Sequence, residues 1–432
     1  MFPVMTYKET LEYIYAKLPM FHRIGPAAFR NDLTNTIRLL DELGNPQHKF
    51  KSIHIAGTNG KGSVSHLIAA VLQSAGYKTG LYTSPHYKDF RERIKLNGEM
   101  VSEEFVMDFV ERIRSMVEEI QPSFFEITVA MAFDYFAKQE VDFAVIETGL
   151  GGRLDSTNVI TPILSVITNI SYDHQNFLGD TLQLIAKEKA GIIKTNILVV
   201  IGETQEEVKD VFIQQAKEKN AAISFADQIF RCNLIDEDSD KLVLNVKDKT
   251  KDQSYELESQ LTGPYQVKNI QTVLQTIEQL KNQGIKISDE HRSNGIANVV
   301  DLTGMLGRWM ILCKNPLIIA DGVHNVGGFE NVLPKIKSIP HRQLHFVFGT
   351  VSDKDISPIL NLLPRNAIYY FCKADIPRAK NPDELKSEAE RFDLNGEKYS
   401  SVKEAFEVAK KNAGADDLVF IGGSIFVVAE VI

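Results

Sequence analysis

Residues Gly57-Thr58-Asn59-Gly60-Lys61-Gly62-Ser63 make a short glycine-rich run with one lysine. Glycines let backbone N–H groups approach phosphate oxygens, and a following helix N-terminus adds partial positive charge. Lys61 would reach the outer phosphates. The run departs from the common GxxxxGK[ST] pattern. Ile55 stands where the first glycine would be, and Gly62 displaces Ser63 by one residue. A glycine-rich turn with no ligand is the plain alternative; the lysine, the serine and the flanking elements together weigh against it.

More chemistry lies downstream. Glu147 ends the apolar run VDFAVIE. A carboxylate at the C-terminal end of a central parallel strand sits where such sheets bind ligands. Beside a phosphate loop it would hold Mg²⁺, which prefers oxygen ligands; a solvated strand-end glutamate is the alternative. GLGGRLD, 149–155, is a second glycine-rich loop and carries Arg153 and Asp155. Asp173-His174 follow the apolar run 163–170, where a hydrogen-bonded structural histidine competes with a ligand. Asp180 and Gln183 fit a capping box for the next helix. On that helix Leu182, Ile185, Ala186 and Lys189 share one face, while Lys187 and Glu188 point away. An inward lysine is costly when charged, so its pKa should fall, and the neutral amine can act as a base or be modified. A lysine snorkelling at the helix end is the other reading, and spacing alone leaves the two even.

Strand-like and helix-like runs alternate over most of the chain. KSIHIAG, 51–57, feeds Val64, Leu67, Ile68, Val71, Leu72 and Ala75, which mark one helix face. Gly76 suits the residue just past that helix. Residues 103–120 and 124–138 are expected helices. The runs 141–147 and 163–170 are expected buried parallel strands. This alternation predicts a doubly wound α/β domain. Residues 230–260 predict a small antiparallel β appendage, and 263–280 a helix. The segment 293–307 lacks strong periodicity. Strand-and-turn runs resume at PLIIADG, LHFVFGT, AIYYFCKA and DLVFIGGS. A boundary near 298 is expected, giving domains 1–298 and 299–432, the second a smaller Rossmann-like α/β domain.

The chain has 432 residues, with 48 Lys+Arg against 57 Asp+Glu, a net charge of −9. That balance argues against a nucleic-acid footprint, which needs a basic surface. Anionic substrates remain compatible, because a metal can supply local positive charge. Cys232, Cys313 and Cys372 are far apart and suggest neither a zinc site nor a disulfide framework. Lys8, Glu9 and Glu12 occupy the stretch a signal peptide would keep apolar. No uncharged apolar run reaches the roughly 20 residues of a membrane span. A reduced, cytoplasmic enzyme or binding protein with no membrane or nucleic-acid partner is expected.

Several ordered blocks resemble one family. They are GTNGKGS, TSPH at 83–86, RERIKLNG at 91–98, FFEITVAMAF at 124–133, ETGLGGRLDSTN at 147–158, DHQNFLGDT at 173–181 and EKAGIIK at 188–194. GRW at 307–309, DGVHN at 321–325 and GTVSDKD at 349–355 continue the match. Together they resemble folylpolyglutamate synthase/dihydrofolate synthase, the folate branch of the Mur ligase superfamily. The resemblance implies an ATP-dependent ligase of folate biosynthesis and one-carbon metabolism. It would join L-glutamate to dihydropteroate, to a reduced folate such as tetrahydrofolate, or to both. It implies that the 57–63 run, Asn59 to Ser63 above all, cradles ATP phosphates. Ser84 and Glu147 would bind a first Mg²⁺. His174 and a carbamylated Lys189 would hold a second. Asn269, Arg308 and Asp321 would contact ATP, with His324 and Asn325 nearby. Phe125, Glu126, Leu154 and Asp155 would line the pterin or pteroate pocket, with the loop around Gly25 to Ala27. His324 and Asp321 are candidate acceptors of the glutamate amine proton.

Three positions depart from the family pattern: Val326 and Leu306 replace prolines, and Thr148 replaces a valine. They change loop stiffness or packing and remove no ligand. A P-loop kinase or NTPase would share the loop and Glu147 but gives no reason for an inward Lys189. A cell-wall Mur-type amino acid ligase would carry a uridine-nucleotide domain first. Only 56 residues precede Gly57, against about 100 for a typical domain. A monomer is expected.

Overall fold

The computed structural model describes residues 5–18, 32–238 and 240–432. The loop around Gly25 to Ala27 lies outside the described residues. Eight strands form the first sheet: β1 Lys51–Ala56, β2 Thr79–Tyr82, β3 Ile94–Leu96, β4 Glu99–Met100, β5 Phe143–Glu147, β6 Leu164–Ile167, β7 Val199–Ile201 and β8 Ile223–Phe225. Their order is β4-β3-β2-β5-β1-β6-β7-β8. The six strands from β2 to β8 in that order are parallel, while β3 and β4 run antiparallel at one edge. Strand order reverses around β1, so the loops after β1, β5 and β6 gather at one switch point.

Both faces of this sheet are covered, which explains the near-continuous apolar strands. Ile53, Ile55, Val145 and Val166 face one core, packed on Leu67, Ile68 and Val71 of the helix Lys61–Ser74. Ala144 and Ile146 face the other, under the helices Glu103–Ile120 and Phe124–Lys138. The Lys61–Ser74 helix is buried at every residue from Ser63 to Leu72. It is covered by the helices Gln266–Asn282 and Asp289–Ala297.

The expected appendage is a three-stranded antiparallel meander of β9 Phe230–Glu237, β10 Leu242–Asp248 and β11 Gln253–Ser259. The second sheet comprises β12 Met310–Lys314, β13 Leu317–Ala320, β14 Leu344–Phe348, β15 Ile368–Phe371, β16 Gly396–Lys398 and β17 Leu418–Gly422. Its order is β12-β13-β17-β14-β15-β16, parallel except for the edge strand β12.

Two local expectations need correction. The segment 293–307, without periodicity in sequence, holds the end of the helix Asp289–Ala297 and all of the helix Val299–Thr303. A Cβ at Gly295 would lie 2.5 Å from Val71 Cα, so the backbone itself is the packing surface and no apolar stripe is needed. Ile296, Val299 and Met305 all belong to the first core. The chain therefore crosses to the second sheet over residues 304–308, later than 298. The helix Leu182–Ala190 is capped by Thr181, whose hydroxyl accepts from Leu184 N–H at 3.2 Å, and not by the Asp180/Gln183 box. Gln183 instead donates to the Glu207 carbonyl.

Candidate active site

The phosphate loop follows β1 and turns into the helix Lys61–Ser74 at Gly60, whose φ is +83°. A Cβ at Gly60 would lie 2.2 Å from Asn269 Oδ1, and one at Gly57 would lie 1.9 Å from Thr168 Oγ1. Neither position admits a side chain. Asn59 N–H donates to Asn169 Oδ1 at 3.1 Å, and Thr58 exchanges hydrogen bonds with the Ser171 backbone. The loop is thus held open by the segment after β6. Ser63 accepts from Gln266 Nε2 at 3.3 Å.

Two lysines meet beneath the loop. Lys61 Nζ donates to the Gly57 carbonyl at 3.1 Å, and Lys189 Nζ donates to the same oxygen at 2.8 Å. Lys189 is only 4% exposed. Burial, reinforced by repulsion from Lys61, pulls its pKa from 10.5 to about 7. The inward reading of Lys189 therefore holds and the snorkelling one does not.

Glu147 ends β5 beside β1, with Ile55 as its register partner. It is buried, and its carboxylate accepts one hydrogen bond among the described residues, from Ser84 N–H at 3.2 Å. Burial raises its pKa to about 7 against the opposing pull of Lys61. A buried carboxylate with one donor is poorly stabilised as an anion and gains from a cation. His174 has φ +51° at the start of the short helix Gln175–Leu178. Burial lowers its pKa to about 3, so its ring is neutral.

The second sheet closes over these groups. Asn59 and Asn325 exchange side-chain hydrogen bonds at 3.1 and 2.9 Å across the cleft. Asp173 accepts from Lys354 Nζ at 2.6 Å, His324 Nε2 at 3.2 Å and Asn325 Nδ2 at 3.2 Å. Burial works against the Asp173 anion, but the Lys354 ammonium and the hydrogen bond from His324 hold its pKa well below the ordinary carboxyl value. Asp321 accepts from Trp309 N–H and Val323 N–H, both at 2.8 Å, and from the Tyr265 hydroxyl. Arg308 donates to the Tyr87 hydroxyl and to the Gly307 carbonyl.

One cavity of about 460 Å³ connects all of this. Among the described residues, every site residue expected from the sequence lines it except Gly57, whose carbonyl the two lysines share, and Asn325, which reaches Asn59 and Asp173 by hydrogen bonds. Two of the expected pocket residues are committed to structure. Asp155 accepts from Gly149 N–H and Leu150 N–H at 2.8 Å and from Thr157 N–H at 3.0 Å, which folds the second glycine-rich loop. Glu126 closes its own helix's capping box by accepting from Ser123 N–H at 2.5 Å. Phe125 packs on that loop: a Cβ at Gly149 would lie 2.5 Å from its ring. Sequence reasoning assigned no role to Tyr87, Tyr265 or Lys354. Tyr265 lies in GPYQVKN at 263–269, at the start of the expected helix, and Lys354 in GTVSDKD, but nothing local marked their partners.

A phosphate loop on a doubly wound sheet, faced across a cleft by a second α/β unit, defines a nucleotide-dependent ligase of the Mur type. Family models agree: a Mur ligase middle domain matches residues 55–277, and a Mur ligase glutamate ligase domain matches 307–425. A dihydrofolate synthase/folylpolyglutamate synthase of Bacillus subtilis is 34% identical over 98% of both chains. A folylpolyglutamate synthase structure from Thermotoga maritima superposes with a TM-score of 0.80 at 33% identity, covering 98% of this chain and 95% of that one. The structure of E. coli FolC in complex with DHPP and ADP gives a TM-score of 0.85 at 27% identity, covering 99% and 97%. The chain belongs to the folylpolyglutamate synthase/dihydrofolate synthase family.

Proposed function

We propose that this protein is an ATP-dependent amide ligase that joins L-glutamate to folate-type carboxylates, with both dihydropteroate and tetrahydrofolate as acceptors. The observation that carries the reading is the pairing of Lys61 and Lys189 on the Gly57 carbonyl beneath the phosphate loop. A kinase needs the first lysine and has no use for a buried, half-neutral second one.

The donor set fits Mg²⁺. Glu147 and Ser84 offer hard oxygen ligands, and Lys189 becomes an oxygen donor once carbamylated, beside the neutral His174. Among the described residues, no group of three or more His, Cys, Asp or Glu side chains is arranged to hold a metal ion by itself. Phosphate oxygens and water would therefore complete each ion's shell, as Mg²⁺ prefers. Bound there, the ions offset charge on the triphosphate and the transferring phosphoryl group.

The chain's own residues do the rest. Lys61 and Arg308 bring positive charge to opposite sides of the nucleotide, and Asn269 beside Gly60 lies at the phosphate loop. The acceptor carboxylate attacks the γ-phosphorus, ADP leaves, and the acyl phosphate must be kept from water. Closure through Asn59–Asn325 and Asp173–Lys354 supplies that exclusion. The neutral amine of glutamate then attacks the acyl carbon, and phosphate leaves. His324 can take the amine proton only after giving up one of its own, since its two ring nitrogens both face acceptors, Gly322 O at 2.9 Å and Asp173 Oδ2 at 3.2 Å. Asp321 is held by three donors and is the weaker candidate. Phe125 and Leu154 form the apolar wall for the pterin or pteroate ring.

The unpaired cysteines suit a reducing, cytoplasmic setting, and no described helix is long and apolar enough to cross a membrane. We take the protein to act as a monomer, since both units of one chain complete the cavity. The test is phosphate release by purified protein with ATP and Mg²⁺, offering glutamate with dihydropteroate or with tetrahydrofolate. Release should require both the acceptor and glutamate. Release that ignores glutamate would reject the ligase reading, and release with one acceptor only would reject bifunctionality.

A further inference from the structure

The crossing between the two sheets is gripped by side chains that no step above uses. Lys95 on β3 is 5% exposed, and its ammonium donates to Thr303 O at 2.7 Å and Gly304 O at 3.1 Å. These carbonyls end the helix Val299–Thr303, where a cation is favoured by the helix dipole. His66, on the helix that Lys61 opens, meets Thr303 Oγ1 at 2.8 Å through Nδ1. The Thr303 hydroxyl proton is already donated to Val299 O at 2.5 Å. His66 Nδ1 must therefore be the donor, which fixes its tautomer.

Beyond Thr303 the grip continues. Gly304 and Gly307 have φ of +59° and +71°, and a Cβ at Gly307 would lie 2.1 Å from the Tyr87 ring. The Tyr87 hydroxyl donates to Gly307 O at 3.2 Å and accepts from Arg308. A second cavity of about 50 Å³ lies among Lys95, His66, Arg308 and Glu147. The clamp and the Glu147 carboxylate thus border one space.

We propose that Lys95 and His66 are positioning residues for Arg308. They fix the start of the interdomain crossing against the helix that begins with Lys61, so that the two cations meet the nucleotide in register. The proposal rests on the reading of Arg308 as an ATP contact. It needs no new ligand: a buried ammonium aimed at two carbonyls of the crossing gives direction that an apolar side chain of the same size would not.

The test is a double-mutant cycle between Lys95→Met and Arg308→Ala, read by steady-state kinetics with Tm as a check on folding. Lys95→Met should raise KM for ATP about tenfold with KM for the folate acceptor unchanged, the range expected of a residue acting through another. Lys95→Arg should restore most of the loss. Added to Arg308→Ala, Lys95→Met should do nothing further. Thr303→Val removes the hydroxyl that His66 meets at similar volume and leaves the carbonyls that Lys95 holds, so it should raise the ATP KM in part and tests the His66 side of the clamp. Additive losses in the cycle, or an unchanged ATP KM in folded Lys95→Met, would overturn the proposal, and an unchanged ATP KM in folded Thr303→Val would overturn the role given to His66. An unchanged ATP KM in Arg308→Ala would instead overturn the role given to Arg308.

Discussion

Replacing Lys189 by Met should stabilise the CO₂-free protein at pH 6 while abolishing ligation. The ammonium is buried and shares the Gly57 carbonyl with Lys61. Burial first, then Lys61, takes its pKa from 10.5 to about 7. That gap corresponds to about 5 kcal/mol of charging penalty. The folded pKa lies below the unfolded one, so the unfolded chain holds more protons between pH 7 and 10.5. The penalty is therefore complete below pH 7 and fades as the pH rises towards 10.5. The Tm of Lys189→Met should exceed the parent's at pH 6, and the gain should shrink by pH 9. The same shift prepares the chemistry. At pH 7 about half of the Lys189 amine is neutral, against roughly 0.03% of an ordinary lysine, and the neutral form is the one that adds CO₂. Labelled ¹³C-bicarbonate should give a carbamate signal in the parent at pH 8 and none in Lys189→Met. Stripping CO₂ should lower phosphate release, and bicarbonate should restore it. Lys189→Ala should be inactive and partly rescued by acetate. Parent-like turnover by Lys189→Ala without added acid would refute the carbamate, and no thermal gain in Lys189→Met at pH 6 would refute the electrostatics.

Glu147→Gln should abolish Mg²⁺-dependent turnover. Burial raises the folded pKa of Glu147 from 4.5 to about 7, so its cost is absent below pH 4.5 and full above pH 7. The metal-free variant should outmelt the parent at pH 8, less so at pH 5, and Mg²⁺ should no longer raise its Tm; Mg²⁺ stabilisation that survives would exclude Glu147 as a ligand. Gly60→Ala should cost about 1–2 kcal/mol from the left-handed backbone alone, and its Cβ would also displace Asn269, 2.2 Å away. ATP should lose its thermal stabilisation of that variant, and a normal ATP-induced shift would disprove the cradle.

How far this was legible in sequence depends on the range of the forces involved. The phosphate loop was legible because strand, glycines and helix are contiguous. The face that carries Lys189 was legible from Leu182, Ile185 and Ala186, but spacing left an inward and a snorkelling lysine even, and only its burial against the Gly57 carbonyl decides between them. The commitments of Asp155 and Glu126 were not, since a carboxylate that folds its own loop has the same spelling as one that waits for a ligand. The helices ending at Ala297 and Thr303 were hidden by Gly295, which packs by having no side chain. Asp173 was visible at its strand end, but its partners Lys354, His324 and Asn325 stand more than 150 residues away. No local pattern encodes that meeting.

The same hydrogen-bond inventory explains why Glu147, among several buried acids, is the metal candidate. Asp155, Asp173 and Asp321 border the same cavity. Asp155 is occupied by backbone N–H groups, Asp321 by Tyr265, Trp309 and Val323, and Asp173 by donors from across the cleft. Each would have to break existing bonds to take a cation. Glu147 has a single donor among the described residues and a pKa raised to about 7, so a cation there relieves a penalty the fold already carries. A chain of net charge −9 can thus bind a triphosphate without a basic surface. Asp155, Asp173 and Asp321 are held by their own donors, and the positive charge of Lys61 and Arg308, with a metal at Glu147 as proposed above, would be left for the substrate.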